Sequence, residues 1–180
     1  MGKLFVISGS SGVGKGTVIK EFLKKHPEFK LSVSCTTRKP REGEIDGTNY
    51  FFLTKEEFQT CIKNNEFLEW AEFSGNMYGT KGEYVLSKLN EGKNLILEID
   101  TKGALNVKRI MPEANLIFIL PPSFEELEAR LRGRHTETEE AIQKRLESTK
   151  LEMENSKKFD YQVINDNIEN AVANLEKIMC

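Results

Sequence analysis

Between the apolar run Leu4-Phe-Val-Ile7 and the helically spaced Val18, Ile19, Phe22 and Leu23 stands Gly9-Ser-Ser11-Gly12-Val13-Gly14-Lys15-Gly16-Thr17. A strand, a glycine-rich turn and a helix in that order form the frame of a phosphate-binding loop. Glycines at 9, 12 and 14 let successive backbone N–H groups turn inward around phosphate oxygens, with no Cβ in the way. Lys15 then supplies a cation for the outer phosphates, beside the positive end of the helix that follows. A dinucleotide fingerprint needs G-x-G-x-x-G, and here Gly12 and Gly14 are followed by Thr17. One departure stands out: Gly16 occupies the place where the pattern carries a Ser or Thr hydroxyl toward Mg²⁺.

The rest of the chain extends this start. Leu95-Ile-Leu-Glu-Ile-Asp100, Asn115-Leu-Ile-Phe-Ile-Leu120 and Tyr161-Gln-Val-Ile164 read as strands, and Leu31-Ser-Val-Ser-Cys35 alternates like one. Helical patterns separate them, over about 17–25, 102–111, 123–131, 138–157 and 168–179. Near-continuous apolar strands joined by helices predict an α/β fold, a parallel sheet covered on both faces. Residues from Ser34 to about Gly92 break the rhythm. Aromatic segments at Tyr50-Phe-Phe-Leu53 and Phe67-Leu-Glu-Trp-Ala-Glu-Phe73, with a helix opened by Thr54 and Glu57 at capping-box spacing, predict an inserted, partly β subdomain.

With 180 residues, of which 38% are hydrophobic, the chain is long enough for one core with insertions. A net charge of −2 gives no global pull toward nucleic acid or anionic membrane, so local clusters carry the chemistry. No apolar stretch reaches the length of a membrane span, and the first strand begins almost at once, so no leader peptide and a cytoplasmic location are expected. Cys35, Cys61 and Cys180 are odd in number and lack metal-ligand spacing, which suits thiols in a reducing compartment.

Three clusters stand outside the loop. Arg38 and Arg41, in Ser34-Cys-Thr-Thr-Arg38-Lys-Pro-Arg41, suit a second anion that Tyr50 also reaches; a solvated basic loop is the alternative. By alternation, Glu69 shares a strand face with Phe67, Ala71 and Phe73. An unpaired carboxylate on such a face costs several kcal/mol, roughly. A ligand with two adjacent N–H donors, as guanine has, would satisfy it, and so would a nearby lysine. Arg130, Arg132 and Arg134, with Arg145 further on, suit a lid that brings cations onto transferring phosphates, or else a charged helix face.

Taken together, these residues resemble guanylate kinases over essentially the whole chain. The resemblance runs through Ser8 to Lys15, Ser34 to Glu44, Gly47 to Phe52, Asn65 to Thr80, Ile99-Asp100, Pro121-Pro122-Ser123, Arg132 to Leu146 and Val163 to Asp166. It implies one domain: a core over about 1–33, 93–124 and 147–180, a GMP-binding subdomain over 34–92, and a lid over 125–146. It also implies Mg²⁺-dependent transfer of the ATP γ-phosphate to GMP, with dGMP as a further acceptor, by a monomer with neither nucleic acid nor membrane as partner.

Residue by residue, the resemblance assigns Arg38, Arg41, Tyr50 and Tyr78 to the GMP phosphate, and Ser34, Glu69, Thr80 and Asp100 to guanine. It assigns Gly9, Ser11, Gly12, Val13, Gly14, Lys15, Gly16, Thr17, Arg130, Asn165 and Asp166 to ATP. Lys15, Arg41, Arg134 and Arg145 are the catalytic cations. No general base is needed, because the GMP phosphate is already an anionic nucleophile. Two residues depart from the family pattern, Gly16 for serine and Glu98 for aspartate, and no metal ligand is named. A guanylate-kinase-like scaffold would have a degraded loop, and an adenylate kinase, suggested only by Gly-Lys-Gly-Thr, would not present Glu69 and Thr80.

Overall fold

The chain runs through β1 (Leu4–Gly9), α1 (Lys15–Lys25), β2 (Phe29–Leu31), β3 (Cys35–Thr36), β4 (Phe51–Phe52), α2 (Lys55–Lys63), β5 (Phe67–Phe73), β6 (Asn76–Lys81) and α3 (Gly82–Asn90). It continues with β7 (Asn94–Glu98), α4 (Thr101–Ile110), β8 (Asn115–Leu120), α5 (Phe124–Gly133), α6 (Glu139–Asn155), β9 (Tyr161–Ile164) and α7 (Ile168–Met179). This computed structural model describes residues 1–10, 12–133 and 138–180, and within them every side chain except those of Leu127, Arg130, Leu131 and Arg145. A five-stranded parallel sheet has the order β2-β7-β1-β8-β9, and a separate mixed sheet the order β4-β3-β6-β5. The expected α/β architecture is therefore present.

Two compact units divide the chain. One comprises Met1–Leu4, Glu28–Leu97 and Lys102–Ala114; the other comprises Phe5–Pro27, Glu98–Thr101 and Asn115–Cys180. In the second, Val6 and Ile7 of β1 and Leu116 to Ile119 of β8 are wholly buried. That pattern belongs to parallel strands covered on both faces. Helix α1 buries Val18, Ile19 and Phe22 and packs with α7, which buries Ala171, Val172 and Leu175. Phe124, at the start of α5, packs on Ile142 and Leu146 of α6.

In the first unit, α2 has the capping box its sequence announces: Thr54 Oγ1 accepts from the Glu57 N–H at 3.1 Å, and the Glu57 carboxylate accepts from the Thr54 N–H at 2.7 Å. Phe58 on this helix is fully buried and reaches the small sheet. A Cβ built on Gly79 of β6 would come within 3.1 Å of the Phe58 ring and 3.0 Å of Trp70 Cβ. Glycine is therefore what allows helix and sheet to approach at that point.

Several elements differ from the sequence reading. The alternating segment 31–35 is not one strand: β2 ends at Leu31, and β3 begins at Cys35 in the other sheet. Ser32 still donates its N–H to Ile96 O at 2.8 Å, so the chain leaves the first sheet there and enters the second within a few residues. Strand β7 stops at Glu98, which puts Asp100 in the turn before α4. Helix α5 continues past Leu131 to Gly133. Strand β6 and helix α3 were not expected at all; Asn76-Met-Tyr-Gly-Thr-Lys81 has little strand character by itself and is held by neighbours on both sides.

Candidate nucleotide sites

One face of the small sheet gathers most of the residues assigned to the acceptor. Tyr78 lies opposite Thr36 of β3 and Ala71 of β5, while Thr80 lies opposite Glu69. Residues directly opposite in neighbouring strands share a face, as do i and i+2 along one strand. Tyr78, Thr80 and Glu69 therefore point the same way, with Phe52 of β4 in the same row through its pairing with Thr36. Tyr50 and Tyr78 meet edge to face with ring centroids 6.2 Å apart, and the Arg38 guanidinium carbon lies 5.3 Å from the Tyr50 ring centre. Such placement over a ring face is a cation–π arrangement.

Arg38 is held where it stands. Its two terminal nitrogens donate to the Glu44 carboxylate at 2.9 and 2.8 Å, and Nη1 also donates to Lys39 O at 2.8 Å. Glu44 further accepts the Arg41 N–H at 2.7 Å. The Arg38 hydrogen bonds, then the Arg41 N–H, pull the Glu44 carboxyl down to about 2. In return the Arg38 guanidinium is raised above its usual range, first by Glu44, with Tyr78 contributing in the same direction. Arg41 is exposed and Ser34 half-buried, the latter accepting the Phe51 N–H through its carbonyl at 2.9 Å. Sequence reading assigned no role to Glu44, although an acid six residues after an arginine across a glycine-containing loop was the available signal.

Glu69 is buried, at 7% exposure, and accepts from Thr80 Oγ1 at 2.6 Å. Simple alternation from Phe67 does not account for its burial. A bulge between Phe67 and Glu69 breaks the alternation, so Leu68 and Glu69 are buried in succession. Phe73, expected on the same apolar face, is 71% exposed. The Thr80 hydroxyl is one partner of the Glu69 carboxylate. Cys35, on β3 at the far side of β6, is fully buried, and burial pushes its thiol up to about 11.

The second unit holds the glycine-rich loop. Gly14 is in the left-handed region at φ 88° and caps α1, and a Cβ there would lie 2.9 Å from Asn165 Nδ2. Glycine is thus required twice, for conformation and for space. Asn165, itself buried, donates its amide to Val13 O at 2.7 Å. Asn165, which the resemblance assigns to ATP, follows the end of β9 and braces the loop through this bond. Asp166 accepts from Asn170 Nδ2 and from the Asn167 N–H, which in that order lower its carboxyl. Gly12, Val13, Gly14, Thr17, Asn165 and Asp166 border one cavity of about 490 Å³.

The side-chain oxygens of Ser8, Ser10 and Thr101 in this unit are buried without a hydrogen-bond partner among the described residues. Polar groups left open beside such a loop, at the carboxyl end of parallel strands, fit an anionic ligand there. Lys15 is half-buried, Thr17 exposed, and Gly9 ends β1. Asp100 is exposed in the turn between β7 and α4. Ser11, Arg134 and the side chains of Arg130 and Arg145 lie outside the described residues. Arg132 is described, and it is engaged by Glu128 at 2.8 Å and by Glu139. Among the described residues no helix is long and apolar enough to cross a membrane.

Comparison with known proteins agrees with this geometry along the whole chain. The family model described as guanylate kinase matches residues 1–180. A guanylate kinase from Synechococcus elongatus is 51% identical over 176 residues, covering 98% of this chain and 96% of that protein. One from Prochlorococcus marinus is 52% identical over 178 residues, covering 99% and 94%. The crystal structure of guanylate kinase from Anaplasma phagocytophilum superposes with a TM-score of 0.75 at 32% identity, over 99% of this chain and 84% of that one. A shikimate kinase from Bacteroides thetaiotaomicron, at 12% identity and a TM-score of 0.52, shares the fold. With a full-length family match and relatives at half identity on top of a phosphate loop and a buried Glu69–Thr80 pair, this chain belongs to the guanylate kinase family.

Proposed function

We propose that this enzyme transfers the γ-phosphate of ATP to GMP, giving GDP and ADP, and that it also accepts dGMP. The observation that carries the acceptor assignment is the buried Glu69 carboxylate paired with Thr80 on the sheet face that presents Tyr78. Guanine offers adjacent donors at N1 and N2 for Glu69 and an acceptor at O6, toward which Thr80 turns the single hydroxyl proton that it otherwise gives to Glu69. Adenine presents the opposite polarity and offers neither the donor pair for Glu69 nor the acceptor for Thr80. Ser34 adds a hydroxyl to this pocket, and Asp100 is assigned to the same base.

Arg38, Arg41, Tyr50 and Tyr78 hold the GMP phosphate. Glu44 keeps the Arg38 fork in a fixed plane, so less side-chain freedom is lost on binding. The loop from Gly9 to Thr17 receives the ATP phosphates, with Lys15 on the outer ones and Asn165 bracing the loop from behind. Arg134 and Arg145 stabilise charge on the transferring group, with Arg130 in support. Mg²⁺ brought with ATP would supply further positive charge for the phosphates; the exposed carboxylate of Glu98 and the hydroxyl of Thr17 beside the loop are the oxygens that would face it. The GMP oxygen attacks without a general base, so the chain's own contribution is positioning and fixed positive charge. We place the enzyme in the cytoplasm as a monomer, where the buried thiols of Cys35 and Cys61 suit a reducing compartment.

ADP formation from MgATP with GMP, dGMP, AMP or UMP offered in turn tests this reading. GMP and dGMP should support turnover, and AMP should fall short in kcat/KM by roughly 10⁴-fold, the discrimination available to a site built on hydrogen bonds. Folded protein without GMP-dependent turnover would sink the proposal. Equal use of AMP would remove the roles given to Glu69 and Thr80.

A further inference from the structure

The bulge in β5 lets Glu69 stand opposite Thr80, and a side chain from another element holds that bulge. Lys81 faces Phe67 and Thr80 faces Glu69, so Leu68 is the extra residue, with no opposite number in β6. Carried on from the Phe67–Lys81 pair without it, the register would set Leu68 against Thr80 and Glu69 against Gly79. A one-residue slip of this kind sends side chains to the other face of a sheet. With the extra residue, Phe67 keeps its ring centroid 4.5 Å from that of the buried Phe58, and Glu69 keeps Thr80.

Asn106, half-buried on α4, donates its side-chain amide to the Leu68 carbonyl oxygen at 2.7 Å. Its other end is fixed as well: Arg109 Nη2, about one turn on, donates to Asn106 Oδ1 at 3.0 Å. With that oxygen engaged by a guanidinium, the amide presents its N–H groups to β5. We propose that Asn106 is a positioning residue for guanine: by holding the backbone of the bulged Leu68 from α4, it fixes the Glu69 carboxylate where the base is read. It acts through the strand and not on the base. A bulge disrupts the regular ladder at the extra residue, and a backbone carbonyl away from water needs a donor. Asn106 supplies one from a helix, so the bulge does not depend on β6 alone.

This inference rests on the GMP half of the proposed function, and its test separates the two. IMP is GMP without the N2 amino group, so the GMP/IMP ratio of kcat/KM, read with MgATP on the full chain, reports how well Glu69 meets the donor pair. One hydrogen bond to a charged acceptor should give the original chain a preference of roughly tenfold or more. Asn106→Leu keeps the size of the side chain and removes the donor. Asn106→Asp keeps the shape and turns a second oxygen toward the Leu68 carbonyl. Both should raise the KM for GMP about fivefold or more and lower the GMP/IMP ratio by a similar factor, the scale of one lost hydrogen bond. The kcat at saturating GMP should fall by less than KM rises, and the KM for ATP should stay as it is. In nucleotide-free protein, the Glu69 and Trp70 amides should exchange hydrogen faster in both variants. Arg109→Ala, at an exposed residue, should move the ratio the same way by a smaller amount, and reads the same bond should either Asn106 variant fail to fold.

A GMP/IMP ratio kept in the folded variants, whether turnover holds or falls for both acceptors alike, would overturn the proposal, because a merely structural residue gives that result. So would Glu69 and Trp70 amides that exchange no faster than in the original chain. If the original chain itself used GMP and IMP equally, the guanine reading would fail and this inference with it. If the original chain prefers GMP and the variants do so to the same degree, the guanine reading stands and only the role of Asn106 is lost.

Discussion

Arg38 and Glu44 show how an arginine fork proposed for a phosphate is held in place by its own neighbours. Both side chains are mostly shielded, at 15% and 19% exposure, and they share two parallel hydrogen bonds. The Glu44 carboxyl is lowered from 4.5 to about 2, so its folded-state value lies below its unfolded one. Its stabilising contribution is therefore complete above about pH 4.5 and is lost as the pH falls toward 2. Urea melts at stepped pH should show wild type more stable than Glu44→Gln at neutral pH, with the gap closing near pH 2. A gap independent of pH would show that the ion pair is not its origin. At this scale the residue types were legible, because arginine forks, a buried acid and a lysine after glycines each carry their chemistry with them. The partners were not: Glu44 for Arg38, Thr80 for Glu69 and Glu98 over Gly16 depend on turns and strand pairings that spacing along the chain does not reveal.

Elements with a strong local signal came out as written. The Thr54–Glu57 box opens α2, β8 and β9 match their apolar runs, and α7 begins after Asn167, which accepts the Asn170 N–H at 2.8 Å. Elements that owe their form to a neighbour did not. Residues 31–35 look like one strand because their alternation is blind to which sheet receives them, and β6 is a strand because β3 and β5 flank it. The capping box gives this scale its prediction. Thr54→Ala removes the acceptor for the Glu57 N–H and the geometry of the reciprocal bond, and should cost about 1 kcal/mol of folding stability in chemical denaturation. Thr54→Ser should recover most of it.

For the molecule as a whole, ligand binding and stability are linked. A nucleotide held by the folded chain alone, supplied at a hundredfold excess over its Kd, adds about 2.7 kcal/mol. For a chain of this size that is an upward shift of roughly 5–10 °C in Tm. Thermal scans should show this shift with GMP and none with AMP at the same concentration; equal shifts would count against the guanine pocket. The sequence by itself determined the α/β class and the glycine-rich turn between β1 and α1, because periodicity and glycine placement act over a few residues. Only the tertiary structure decided which strand pairs with which, where β5 bulges, and which acid meets which arginine or glycine. Those outcomes depend on contacts between residues far apart in the chain, such as the Asn165 amide on Val13 and the Glu98 carboxylate above Gly16, and local pattern carries no information about them.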